Sequence, residues 1–134
     1  MRALAGALLN GVEELLEEGY RLWEDSPLPE LSLEDHEKIV DLVGNIYSGL
    51  DKLHFAAACQ SFYLFRKLHR EMEEYQAYSV LLGDFFFSLF SQNLIPLDSV
   101  PLTDAFAAYL DRDTAGMAED YAAFILTLPA VMAT

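Results

Sequence analysis

The chain has 134 residues, 53% hydrophobic and 13% aromatic, with 22 acids against 8 Lys and Arg for a formal charge of −14. That length holds one domain, residues 1–134, and the apolar content excludes a disordered chain while implying more apolar surface than one small monomer hides. A charge of this sign repels nucleic-acid phosphates and anionic membrane surfaces, which argues against both as partners and favours a protein.

The opening "MRALAGALLNGVEELLEEGY" has a base and a short apolar run, but the run passes into Glu13, Glu14, Glu17 and Glu18. It therefore reads as an amphipathic helix rather than a signal peptide. Leu4, Leu8, Val12, Leu15, Leu22 and Trp23 recur at helical steps, predicting a first helix over residues 2–24 with its glutamates outward. Pro27 and Pro29 end it. Ser32 followed by Asp35 resembles a capping signal, and Ile39, Leu42, Val43, Ile46 and Leu50 form the stripe of a second helix.

Residues 52–73 read as a third helix carrying Leu53, Ala57, Phe62, Phe65, Leu68 and Met72. Cys59, the single cysteine, lies in its apolar run, so no internal disulfide is possible and a buried thiol in a reducing cytoplasm is expected. A fourth helix over 75–94 is apolar on every face, as in a central, fully packed helix or one shared with another subunit. Pro96 and Pro101 frame a loop, and "LTDAFAAYLDR" and "TAGMAEDYAAFILTL" supply two more helices. The last apolar run is too short for a membrane span and is interrupted by Pro129. The expected fold is all-α, a bundle of about six helices in a soluble, cytoplasmic protein.

The histidines, His36, His54 and His69, provide one loose carboxylate-histidine match, Asp51-x-x-His54, and one helical pair, His69 with Glu73. A di-iron bundle needs two acid-x-x-His motifs and two further glutamates, so surface or satisfied histidines are expected. The glycines are not grouped into a phosphate loop, and no serine or cysteine sits in a nucleophile turn. Arg66, Lys67 and Arg70 concentrate positive charge that would suit a diphosphate, but a solvated face complementing a helix dipole is the preferred reading.

"LLGDFFFSLF", residues 81–90, sets Asp84 among leucines and phenylalanines. Such a carboxylate bonds to a neighbouring helix, faces a polar cavity, or lies on the surface awaiting another subunit; if buried, it needs partners such as Tyr, Ser, Arg or backbone N–H groups. Gly83 before it costs about 1 kcal/mol of helix propensity, tolerable where another helix approaches closely.

The stretch "YSVLLGDFFFSLFSQNLI" resembles the Val-Leu-x-Gly-Asp helix of trans-polyprenyl diphosphate synthases. "ACQSFYLFRKLHREMEE" stands where catalytic members of that family carry a His and an Asp-Asp-x-x-Asp motif that chelates Mg²⁺. His69 matches the His, but Arg70 and Glu71 replace the first two aspartates, and Glu74 completes a degenerate motif. Arginine cannot supply the oxygen ligands that Mg²⁺ requires. Over residues 55–99 the chain resembles the non-catalytic small component of two-component heptaprenyl or hexaprenyl diphosphate synthases more than it does the catalytic members.

That resemblance implies part of an isoprenoid-synthase-like bundle, with no catalysis by this chain alone and no cofactor of its own. Mg²⁺ would be held by a catalytic large subunit, the implied partner, with homodimerisation possible without it. It implies a role in menaquinone side-chain synthesis, completing the dimer and influencing product length. Leu82, Gly83, Asp84, Phe85, Phe86, Phe87 and Phe90 are then the interface and chain-length candidates. The competing reading from composition alone is a self-associating helical adaptor with no link to isoprenoids.

Overall fold

The computed structural model is described over residues 2–24, 33–46, 52–71, 76–110 and 117–132. Among these residues it is all-α: α1 (Arg2–Leu15), α2 (Glu17–Glu24), α3 (Leu33–Ile46), α4 (Lys52–Glu71), α5 (Gln76–Leu94), α6 (Val100–Leu110) and α7 (Met117–Met132), with a 3-10 turn over Ile95–Leu97. Ser32, Leu50 and Met72 lie outside the described residues, as do the prolines at 27 and 29.

The single helix predicted over 2–24 is divided at Leu16, whose N–H is shared between the carbonyls of Val12 (3.0 Å) and Glu13 (3.2 Å). The division lets the two halves serve different neighbours. α1 packs on α3 and α4 through buried Leu8 and Val12, whereas α2 packs on α5. Close approach depends on glycine in both: a Cβ at Gly11 would stand 2.7 Å from Leu53 Cδ1, and one at Gly19 would stand 2.8 Å from the rings of Phe85 and Phe86. Glu13, Glu14, Glu17 and Glu18 are exposed, as the periodicity requires, but Leu22 is exposed too.

The central helix is α4 rather than the all-apolar α5. It touches α1, α3, α5 and α7, and every residue from Phe55 to Leu64 is buried. Its run of Ala56, Ala57, Ala58 and Cys59 is narrow enough to admit neighbours on all sides, which apolar bulk alone does not reveal. α5 instead keeps one side in water.

Phe62 on α4 is the hub of an aromatic core, with ring centroids 5.0 Å from both Phe90 and Phe106 and 6.0 Å from Tyr121. Tyr109 stacks on Phe124 at 4.3 Å, so α4, α5, α6 and α7 share one cluster. Burying each such ring stabilises the fold by about 1.5–3 kcal/mol, and favourable ring geometry adds about 0.5–1.5 kcal/mol per pair.

Two prolines predicted to bound helices lie inside them. Pro101 occupies the first turn of α6, where its missing N–H is harmless because those donors have no intrahelical partner. Pro129 lies within α7, which runs on to Met132; it removes the bond that the Ile125 carbonyl would otherwise accept without ending the helix.

Candidate interaction face

α5 displays its sequence motif in two directions. Leu82, Gly83, Phe86 and Phe90 are buried, Phe85 is half-buried, and Asp84 and Phe87 are exposed. Helical steps align Leu81, Asp84, Ser88, Gln92 and Ile95 along the water side, with Phe87 at its edge. Leu81 is 71% and Ile95 75% exposed, unusually high for large aliphatics on one stripe. Asp84 is therefore exposed rather than enclosed, and needs no buried counter-charge.

The phenylalanines that flank Asp84 serve different purposes. Phe86 is fully buried and, with Phe85, meets α2 at Gly19, so it belongs to the chain's own interior. Phe87 is 38% exposed while its ring lies 4.8 Å from Phe65 and 5.8 Å from Phe90. It forms the surface end of the aromatic core.

Beyond α5 the chain turns a tight corner. Asp98 adopts φ 46° and ψ 52°, the left-handed region that Asp tolerates better than most residues, and its N–H donates to the Ile95 carbonyl at 3.0 Å. Ser99 then caps α6, its Oγ accepting from the Leu102 N–H at 3.2 Å. Leu94 and Leu97 pack on the core, leaving Ile95 and Val100 outward. Sequence reasoning treated this segment only as a proline-framed loop; the signal available was an aliphatic beside each proline, Ile95 before Pro96 and Val100 before Pro101.

Arg66, Lys67, His54 and Asn93 have structural assignments. Arg66 donates from Nη1 to the Tyr109 carbonyl at 3.0 Å and lies 5.0 Å over that residue's ring. It thus serves the C-terminus of α6, not a solvated face at the end of its own helix. Lys67 lies 5.7 Å from the Tyr63 ring centroid. Asn93 donates from Nδ2 to the Leu89 carbonyl at 2.8 Å, which turns its Oδ1 to accept from His54 Nδ1–H at 2.9 Å. His54 is therefore a tie between α4 and α5.

Burial pushes the Cys59 thiol up, with the neighbouring Tyr121 hydroxyl acting in the opposite direction. The Tyr121 hydroxyl is itself held well above its ordinary value, by burial first and then by Cys59. It donates to the Cys59 carbonyl at 2.6 Å. Gln60 is an anomaly: it is fully buried, and neither Nε2 nor Oε1 has a hydrogen-bond partner.

α4 extends over His69, Arg70 and Glu71, but their side chains, like those of His36 and Asp51, lie outside the described ones, and Glu73 and Glu74 lie outside the described residues altogether. Among the described residues no three His, Cys, Asp or Glu side chains converge as a metal site would require, and no helix is long and apolar enough to cross a membrane. No protein-family model, curated protein or solved structure matches the chain.

Proposed function

We propose that the chain is a non-catalytic helical subunit of a heteromeric polyprenyl diphosphate synthase, docking on a catalytic subunit through the water side of α5. The observation that carries the reading is the division of the Gly-Asp-aromatic helix. Its buried side is committed to α4 and α2, while Leu81, Asp84, Phe87 and Ile95 remain on the surface. An apolar stripe with one carboxylate suits an interface that needs both burial and register.

Arg66 is supporting evidence. Of the basic cluster, this guanidinium is engaged by the Tyr109 carbonyl and ring, so it is not poised as a diphosphate clamp. The catalytic subunit would supply the Mg²⁺ ions and the diphosphate contacts. On this reading Phe87 is the aromatic chain-length candidate to mutate first, since it is 38% exposed whereas Phe86 is enclosed by its own chain.

The test is co-expression with the catalytic subunit of a polyprenyl diphosphate synthase from the same source, followed by light scattering and incorporation of labelled isopentenyl diphosphate with Mg²⁺. A 1:1 complex that elongates only when both chains are present is expected. A homodimer that ignores the synthase subunit would replace this reading with the self-associating adaptor.

A further inference from the structure

We propose that α2 is a hinged strap: it opens as one unit about Leu16 and uncovers Phe86 of α5, while α1 and the main core stay folded.

Three boundaries coincide at Leu16. The helix divides there, with the Leu16 N–H shared between the carbonyls of Val12 and Glu13, both in α1. The packing partner changes there, from α3 and α4 for α1 to α5 for α2. The main core also ends there. Among the described residues Leu8, Val12 and Leu16 enter its buried cluster, whereas no residue of α2 does. Leu16, fully buried, is therefore the fixed side of the joint.

What α2 covers stands apart from that cluster as well. Leu64, Leu68, Leu82 and Phe86 are buried yet lie outside it, as residues of a satellite apolar region do. α2 meets this region at Phe86, since a Cβ at Gly19 would stand 2.8 Å from that ring. Lifting α2 thus wets Phe86 while leaving the main cluster closed.

The strap is lightly held and depends on its seat. Among the described side chains of α2, Glu17, Glu18, Arg21 and Leu22 are exposed and Gly19 alone is buried. Eight residues are too few to keep a helix in water, so α2 is helical while it rests on α5 and unravels when it leaves. Such an element opens at a free energy below that of global unfolding. The open form sets Phe86, and Phe85 whose ring lies 5.9 Å from it, beside the exposed Leu81 and Phe87. α5 then offers apolar surface of two extents, set by α2 within this chain and independent of what binds there.

The experiment is amide hydrogen exchange of the full chain, followed by NMR over a series of low urea concentrations. Amides of residues 20–24 should share one opening equilibrium and exchange at least about 100-fold faster than those of residues 55–64. Their exchange should accelerate with urea because the opening wets apolar surface, while residues 8–16 keep the protection of the core. Ile125→Val, which thins the main cluster, should speed residues 55–64 about fivefold and leave residues 20–24 unchanged.

Equal protection of residues 20–24 and 55–64, falling together in Ile125→Val, would mean that α2 leaves only in global unfolding and would overturn the strap. Exchange of residues 20–24 that ignores urea would be fraying of separate amides, and joint opening of residues 8–16 would move the hinge away from Leu16. Either result overturns it as well.

Discussion

Gly19→Ala tests whether α2 is seated on α5 as described. On helix propensity alone the substitution stabilises by about 0.5–1 kcal/mol, because Ala loses less backbone freedom than Gly. The new Cβ would stand 2.8 Å from Phe85 Cε1 and Phe86 Cε1 and 2.9 Å from Phe86 Cζ, against 3.4–4 Å for ordinary contact. Phe85 is half-buried and can swing aside, but Phe86 is fully buried, so relief requires α2 to move away. Overpacking of that kind costs about 1–3 kcal/mol, which exceeds the propensity gain and leaves a net loss of about 1 kcal/mol.

For a domain of this size that loss lowers Tm by about 4 °C. Urea unfolding followed by far-UV circular dichroism measures it directly. Gly11→Ala is the internal comparison: its Cβ meets the methyl end of a partly buried Leu53 at 2.7 Å, which can yield by a rotamer change costing about 0.5–1.5 kcal/mol. That cost and the propensity gain nearly cancel, so Gly11→Ala should change stability by less than about 0.5 kcal/mol. Stabilisation by Gly19→Ala, or equal shifts in both variants, would refute the packing of α2 on Phe86. A double-mutant cycle with Phe86→Leu should show a favourable coupling of about 1 kcal/mol, since removing the ring tip relieves the clash.

Gln60→Met should stabilise the chain by about 1–3 kcal/mol, because an amide buried without partners forfeits its hydration for nothing; destabilisation in urea melts would instead mean that bound water satisfies it. Stability should fall above about pH 9: Cys59 and Tyr121 have pKa values raised from 9.0 and 10.0, so the folded chain keeps protons that the unfolded chain releases. Full stability is present below those unfolded values and is lost as pH rises toward the folded ones; Cys59→Ala with Tyr121→Phe should flatten the slope. Arg66→Ala should cost about 1–2 kcal/mol through the lost Tyr109 carbonyl bond and ring contact, with Arg66→Lys recovering only part of it in the same melts.

Helix content was legible because it is written locally. The steps through Leu8 and Val12, and through Ile39 and Val43, show which face avoids water, and those residues are buried. The same logic placed Cys59 inside and Glu13, Glu14, Glu17 and Glu18 outside. The motif helix was legible as a unit, but its orientation was not: an all-apolar periodicity does not say which side lacks a neighbour, so Asp84 could not be assigned from its flanking residues.

Composition and periodicity by themselves determined an acidic, all-α chain. Tertiary structure decided that α4 is central, that Arg66 serves the far end of α6, that Gly19 admits the Phe86 ring, and that Ile95 and Val100 stand out at the corner between α5 and α6. Each depends on a contact between segments distant in sequence. Local pattern encodes a side chain's preference for burial, but only the packing of the other helices sets which neighbour, if any, fulfils it.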